Sequence, residues 1–231
     1  DGYTVESSWK LEERTSYIKL NAALSGYMTR ISEMIVWVPS GSFWSPQNVQ
    51  TVRIRGVESE LSISKSYKKW SWRIHGTYAY NHSENTELST QLPYVPFHKA
   101  SVVTDIRWLN WNLTYLETFT GMRYTENTNT SELSGFQVAQ LSLGHDLHFG
   151  DHVINMTFQV KNLWDEAYQN YELRATPGRH YLIQINYLLY IIFIIMICLP
   201  KLNTMETHPM HYLVLQLVFE HSFSDLSQTK K

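Results

Sequence analysis

Residues 70–80 alternate without a break. Trp70, Trp72, Ile74, Gly76, Tyr78 and Tyr80 fall on one face, and Ser71, Arg73, His75, Thr77 and Ala79 fall on the other. A period of two predicts a strand, because successive side chains leave a pleated backbone on opposite sides. The rhythm returns in Trp111, Leu113, Tyr115 and Phe119 against Asn112, Thr114, Leu116 and Thr118. It recurs in Ile154, Met156, Phe158 and Val160, and again in Tyr181, Ile183, Ile185 and Tyr187. Less regular strands are predicted over 18–30, 49–64, 99–108 and 136–147, with a shorter one at 6–13. No helical period stands out before Tyr187.

The connections alternate too. Long polar segments are predicted at 39–48, 83–98, 125–135 and 163–180, and short ones at 66–69, 109–110 and 149–152. Successive hairpins therefore share one long-looped end and one short-turned end, the asymmetry of outer-membrane barrels. A soluble β-sandwich also has hairpins. Its strands, however, average about 5–6 residues, whereas several here reach the ~9–11 that cross a bilayer. Trp and Tyr at the strand ends fit an interfacial girdle. The expected fold is all-β: an antiparallel up-and-down transmembrane β-barrel segment of about eight long strands.

Composition narrows the function. Nineteen Lys and Arg against 21 Asp and Glu give a net charge of -2, too balanced for gripping nucleic acid through its phosphates. Charged residues are only 17% and aromatics 14%, which argues against disorder. The single cysteine, Cys198, excludes an internal disulfide and a Cys-ligated cluster. A mean hydropathy of -0.29 excludes a bundle of membrane helices but not a barrel, where only alternate residues meet lipid. The opening Asp1, with no basic-apolar leader after it, is read as the start of a piece of a longer protein.

Six segments carry a family resemblance. They are Asn21 to Met34 running into Ile35-Val36-Trp37-Val38-Pro39; Trp44-Ser45-Pro46-Gln47-Asn48-Val49; Val52-Arg53-Ile54-Arg55-Gly56-Val57-Glu58; Leu92-Pro93-Tyr94-Val95-Pro96-Phe97-His98-Lys99; Val160-Lys161-Asn162-Leu163-Trp164-Asp165; and Thr176-Pro177-Gly178-Arg179-His180-Tyr181. In this order they resemble the late barrel of TonB-dependent outer-membrane receptors, closest to siderophore- and cobalamin-type members, over about residues 6–187. The resemblance implies that residues 1–187 are the C-terminal portion of a barrel of about 22 strands. A plug and a TonB-type energy-coupling segment are then missing from this stretch. It also implies a Gram-negative outer-membrane location, membrane lipid as a neighbour and a TonB-type protein as partner through the plug. The cargo would be a small molecule or metal chelate. Each motif also has a structural reading: Gly56 at a bend or bulge, Pro93 and Pro96 setting up strand entry, and 162–165 and Pro177-Gly178 as turns.

The C-terminal end departs from the pattern. Tyr187 would close the last strand, yet the apolar run Leu188 to Leu199 follows, then Pro200 and a polar tail. As a helix that run reaches ~18 Å, short of the ~30 Å bilayer core. Residues 188–231 are therefore expected to be an irregular or helical hydrophobic run followed by a polar tail, read as a run-on past the natural stop with a membrane helix as the alternative, and they give no functional information.

Chemistry is sparse. His145, His148 and His152 with Asp146 and Asp151 have metal-ligand residue types. On a strand, however, His145 and His148 point to opposite faces, so a polar turn is expected there. No serine lies in a nucleophile elbow, and no Gly-rich phosphate loop is present. Neither catalysis nor a resident cofactor is expected. Asn81-His82-Ser83 and Asn112-Leu113-Thr114 match the glycosylation triplet, which means little in a bacterial outer membrane. The expected function is uptake of a ferric siderophore or cobalamin-like ligand, against a plug-free passive porin and, more remotely, a barrel enzyme. The ligand-contact candidates are loop aromatics and cations: Trp44, Tyr94, Trp164, Tyr168, Tyr171, Arg174 and Arg179. A flat ring beside a cation suits a bulky anionic chelate.

Overall fold

The computed structural model describes residues 2–14, 18–40, 43–150, 152–190 and 212–221. Its elements are β1 (Gly2–Arg14), β2 (Lys19–Ser40), β3 (Phe43–Tyr67), β4 (Trp70–Asn85), β5 (Thr90–Gln91), β6 (His98–Trp108), β7 (Trp111–Thr120), β8 (Arg123–Tyr124), β9 (Glu132–Leu133), β10 (Phe136–Phe149), β11 (His152–Lys161), β12 (His180–Tyr190) and β13 (Tyr212–His221). The long strands form one antiparallel sheet in the order β1-β2-β3-β4-β6-β7-β10-β11-β12-β13, with β5 on the upper edge of β4. Every long strand pairs with its neighbour in sequence. This is the meander that the alternation and the loop rhythm predict.

Register puts the four apolar stripes on one face. Ile74 lies opposite Thr104, Thr104 opposite Tyr115, Tyr115 opposite Leu141, Leu141 opposite Val160, and Val160 opposite Tyr181. Paired residues share a face, so this outer surface is apolar from β4 to β12. Its lower edge is a belt of rings. Trp70 stacks on Trp108 at 5.3 Å, Trp111 meets His145 at 4.1 Å, and the Tyr187 hydroxyl is 3.0 Å from His152 Nδ1. The upper edge carries Tyr78, with its hydroxyl 2.9 Å from His98 Nδ1, and Tyr80 over the same imidazole. From Trp70 to Tyr80 is ten residues along a tilted strand, matching an apolar band of about 25 Å.

The opposite face is polar. Arg73 holds Asp105 at 2.7 Å, and Thr114 also donates to Asp105. Asp146, Asn155 and Asn186 form a hydrogen-bonded row across β10, β11 and β12. This face is concave, with a trough of ≈ 580 Å³ lined by Glu6, Lys10, Glu58, Glu60, Thr77 and Lys99. Such a wall suits a wide, wet lumen rather than a packed interior. The sheet does not close: β1 and β13 stand at its two ends without pairing each other.

The short turns at Lys68, Leu109 and Gly150 lie along one rim, each with a residue in the left-handed region (φ 52°, 53° and 58°). The connections 86–97, 121–135 and 162–179 lie along the other. One expectation is corrected there. The segment 39–48, read as a loop, belongs mostly to β2 and β3, which stay paired to Ser40 opposite Phe43. The two strands rise as a ribbon beyond the last β3–β4 pair, Val52 opposite Asn85. Only its β2 arm, Ile35-Val36-Trp37-Val38, is apolar and rich in β-branched residues, a composition that favours pairing over looping.

Gly56 is also not a bulge, since the pairing on both its sides is continuous. Its missing side chain makes room for the Tyr27 ring, whose Cζ would sit 2.3 Å from a Cβ there. At the C-terminal end, β12 runs past Tyr187 to Tyr190, and residues 212–221, expected to be part of an irregular or helical tail, form a strand paired with β12. The rest of the apolar run, 191–199, lies outside the described residues.

Candidate functional site

The long-loop rim gathers aromatics from the β2–β3 ribbon and from two connections. Trp44, at the top of β3, lies 5.6 Å from Tyr94 and 5.5 Å from Tyr171, the latter edge to face, and Tyr94 lies 5.1 Å from Tyr171. Three of the seven candidates thus meet in one cluster, although they are spread over more than a hundred residues of sequence. Tyr94 is held in the left-handed region at φ 59°, a conformation that persists only where the surroundings enforce it. Its N–H donates to the Tyr124 carbonyl at 2.7 Å.

The loops beneath the cluster are tied to one another. The Gln91 side chain accepts from the Ser83 N–H and donates to the Val95 carbonyl. The Gln91 backbone exchanges bonds of 2.7 and 2.9 Å with the Asn129 amide. Val52 and Leu92 form a small apolar core there, with Met34, Ile54 and Val95 packed against it. Arg123, only 3% exposed, donates to the carbonyls of Ser134 and Gln169 and lies 5.1 Å over the Phe136 ring. Phe136 in turn stacks on Tyr168 at 4.5 Å. Burial lowers the Arg123 pKa, while the nearby Tyr94 and Tyr171 hydroxyls oppose that shift. Tyr94 is raised above 10.0, chiefly by burial, against a hydrogen bond from the Glu172 backbone.

The remaining candidates stand apart from the cluster. Tyr168 braces Phe136, and its carbonyl accepts from the Thr176 hydroxyl at 2.6 Å. Trp164 is 61% exposed and lies against the Tyr115 hydroxyl on the outer face. Arg174 and Arg179 have exposed side chains; the Arg179 N–H donates to Asp165. The Asn162 amide bonds Glu166 and reaches the Pro177 carbonyl, so the two turn motifs clip the base of one loop together. Sequence reasoning missed Arg123. Nothing in Met122-Arg123-Tyr124 sets this arginine apart from the exposed ones; only its burial does. Among the described residues no group of three His, Cys, Asp or Glu side chains could hold a metal ion.

The family model for the β-barrel of TonB-dependent receptor-like proteins matches residues 2–163. The chain belongs to this family. It is 31% identical over 140 residues to the ferrichrome outer membrane transporter and phage receptor of Escherichia coli K12, covering 56% of this chain and 18% of that protein. Among solved structures it resembles a copper transporter (TM-score 0.55, 17% identity, 78% of this chain and 30% of that one). The ferric preacinetobactin receptor of Acinetobacter baumannii is similar (TM-score 0.55, 18% identity, 80% and 29%). So is the ferric yersiniabactin uptake receptor of Yersinia pestis (TM-score 0.51, 18% identity, 77% and 27%). At such identities the structures attest the fold alone, and the chain spans less than a third of each relative. Family membership places this receptor wall in the outer membrane of a Gram-negative cell.

Proposed function

We propose that this chain forms the C-terminal part of the barrel wall, with some of the extracellular loops, of a receptor that takes up a siderophore-type ferric chelate. Residues 1–187 supply that wall. A plug carried elsewhere in the protein would seat in the polar trough and couple to a TonB-type partner. The observation that carries the reading is the convergence of Trp44 from the β2–β3 ribbon with Tyr94 and Tyr171 from two separate loops on one rim. Rigid rings give a bulky chelate large contact area at low entropic cost, and loops tied by Gln91, Asn129 and Arg123 present them preorganised. Arg174 and Arg179, exposed on the same rim, are the cations available to an anionic cargo.

The test is uptake by cells whose only receptor is the full-length protein containing this wall. Radiolabelled ferrichrome and cyanocobalamin serve as the two probes, with and without a protonophore. Energy-dependent ferrichrome uptake supports the reading, and cobalamin uptake alone would reassign the cargo. Energy-independent flux of both would make the protein a passive porin.

A further inference from the structure

A carboxylate interrupts the apolar outer face. Register carries that face along β7 through Leu113, Tyr115, Glu117 and Phe119: Tyr115 lies opposite Leu141, Glu117 opposite Val102 and Ala139, and Phe119 opposite Ala100. Ala100 in turn lies opposite Tyr78, at the upper edge of the band. Glu117 therefore sits two residues, ~7 Å along the strand, inside that edge. A charged side chain on the apolar face of a barrel wall costs stability, and its own hydrogen bonds must satisfy it.

The partners of Glu117 lead to a loop. The Gln137 amide donates to its carboxylate. The Tyr115 hydroxyl donates to it as well, and the same hydroxyl accepts from the Trp164 indole N–H. An indole only donates and a carboxylate only accepts, so the phenol between them links the two. Trp164 follows β11, and the sheet order places β10 between it and Tyr115 on β7. The Leu163 N–H donates to the Ala139 carbonyl at 2.8 Å, and Ala139, across from Glu117, is only 1% exposed. A methyl group there leaves room for the chain to cross. Trp164 itself stays 61% exposed, so burial does not hold it in place; the hydrogen bond does. The tip of the same loop is gripped from the other side, where Arg123 donates to the Gln169 carbonyl and Tyr171 meets Trp44 and Tyr94.

We propose that Glu117 is a positioning residue: through Tyr115 and Trp164 it latches the base of 162–179 to the outer wall, and so sets where Tyr171 meets the cargo. Stability of the wall gives no reason for a carboxylate in this row, where an apolar side chain suits the band better. Local rules of this kind are broken where function offsets the cost. The role of Tyr171 rests on the uptake function proposed above; the latch does not.

The experiment uses the full receptor containing this wall, in phospholipid vesicles, in a Cys198→Ser background with spin labels at Asn170→Cys and Leu88→Cys. Wild type should give a narrow distance distribution. Glu117→Leu and Tyr115→Phe should each widen it, and Glu117→Leu should leave the barrel's urea midpoint unchanged or raised. Glu117→Gln keeps an acceptor for the phenol and should restore most of the narrow distribution. In cells, Glu117→Leu should raise the KM for radiolabelled ferrichrome about fivefold, the cost of ordering one loop at capture, with Vmax unchanged. If Glu117→Leu does not fold, Tyr115→Phe, which deletes a single hydroxyl, carries the test. Distributions as narrow in the variants as in wild type overturn the latch. A urea midpoint that falls with Glu117→Leu overturns it too, since the carboxylate would then support the wall itself. A widened loop with unchanged KM overturns the link to capture. Absence of ferrichrome uptake by wild type would fault the uptake function instead, and the distances alone would then decide the latch.

Discussion

Gly56→Ala tests the packing of the lumen wall at one atom. A Cβ at Gly56 would fall 2.3 Å from Tyr27 Cζ and 2.4 Å from its hydroxyl oxygen. The ring must swing away and release the Asn81 amide, which donates to that hydroxyl at 3.1 Å. Losing the hydrogen bond costs about 1 kcal/mol, and a displaced rotamer costs ~0.5–1.5 kcal/mol. Replacing a strand glycine by alanine returns roughly 0.5–1 kcal/mol. The net expectation is a loss of about 1 kcal/mol.

Gly26→Ala is the control, because its nearest neighbour is the Gly56 carbonyl at 3.9 Å, an ordinary contact. It should be neutral or stabilising by ~0.5–1 kcal/mol. The assay is urea unfolding of the full receptor in phospholipid vesicles, followed by tryptophan fluorescence. A Tyr27→Ala background completes a double-mutant cycle with an expected coupling of about 1–2 kcal/mol. Equal destabilisation by Gly56→Ala with and without the Tyr27 ring would refute the packing argument.

Further expectations concern the rim. Gln91→Ala should leave the buried Ser83 N–H without its acceptor, a loss of about 1–3 kcal/mol; hydrogen exchange in 83–97 should rise while exchange in β7 stays unchanged. Arg123→Met should release Gln169 and make 162–179 a preferred site of limited proteolysis in intact cells, whereas Arg179→Met should not. Tyr94 has a folded pKa raised above 10.0 by burial, so the folded state favours the protonated phenol. Its contribution is therefore complete below pH 10 and falls as pH rises through the raised value, which should appear as late phenolate absorbance and loss of ring packing near Trp44. Trp44→Ala removes two ring contacts worth ~0.5–1.5 kcal/mol each and should increase quencher access to the loops without shifting the barrel's urea midpoint.

The strands were legible because one face is apolar and the other polar, so period two survives in the sequence from Trp70 to Tyr187. The ribbon at 34–49 was not, since Pro39 and Pro46 read as loop punctuation while the pairing runs through them. Residues 212–219 are apolar at every position but Gln216, Tyr-Leu-Val-Leu-Gln-Leu-Val-Phe, and without contrast between faces the period is faint. At the rim, composition pointed to aromatics and cations on the long connections, and the fold brings three of them, Trp44, Tyr94 and Tyr171, together. Composition could not separate these from Trp164, whose place on the outer face depends on how 162–179 folds back. Arg123 was invisible because its burial comes from loops far apart in the chain.

The most direct test of the account is the sidedness of its two rims. In a Cys198→Ser background, Tyr171→Cys and Leu109→Cys are introduced singly into the full receptor, and intact cells are treated with a membrane-impermeant maleimide. The account predicts that Tyr171→Cys labels in intact cells and is protected by ferrichrome, while Leu109→Cys labels only after the outer membrane is permeabilised. Labelling of Leu109→Cys in intact cells with Tyr171→Cys silent would contradict the topology, and with it the placement of the aromatic cluster as the outside face of an uptake receptor.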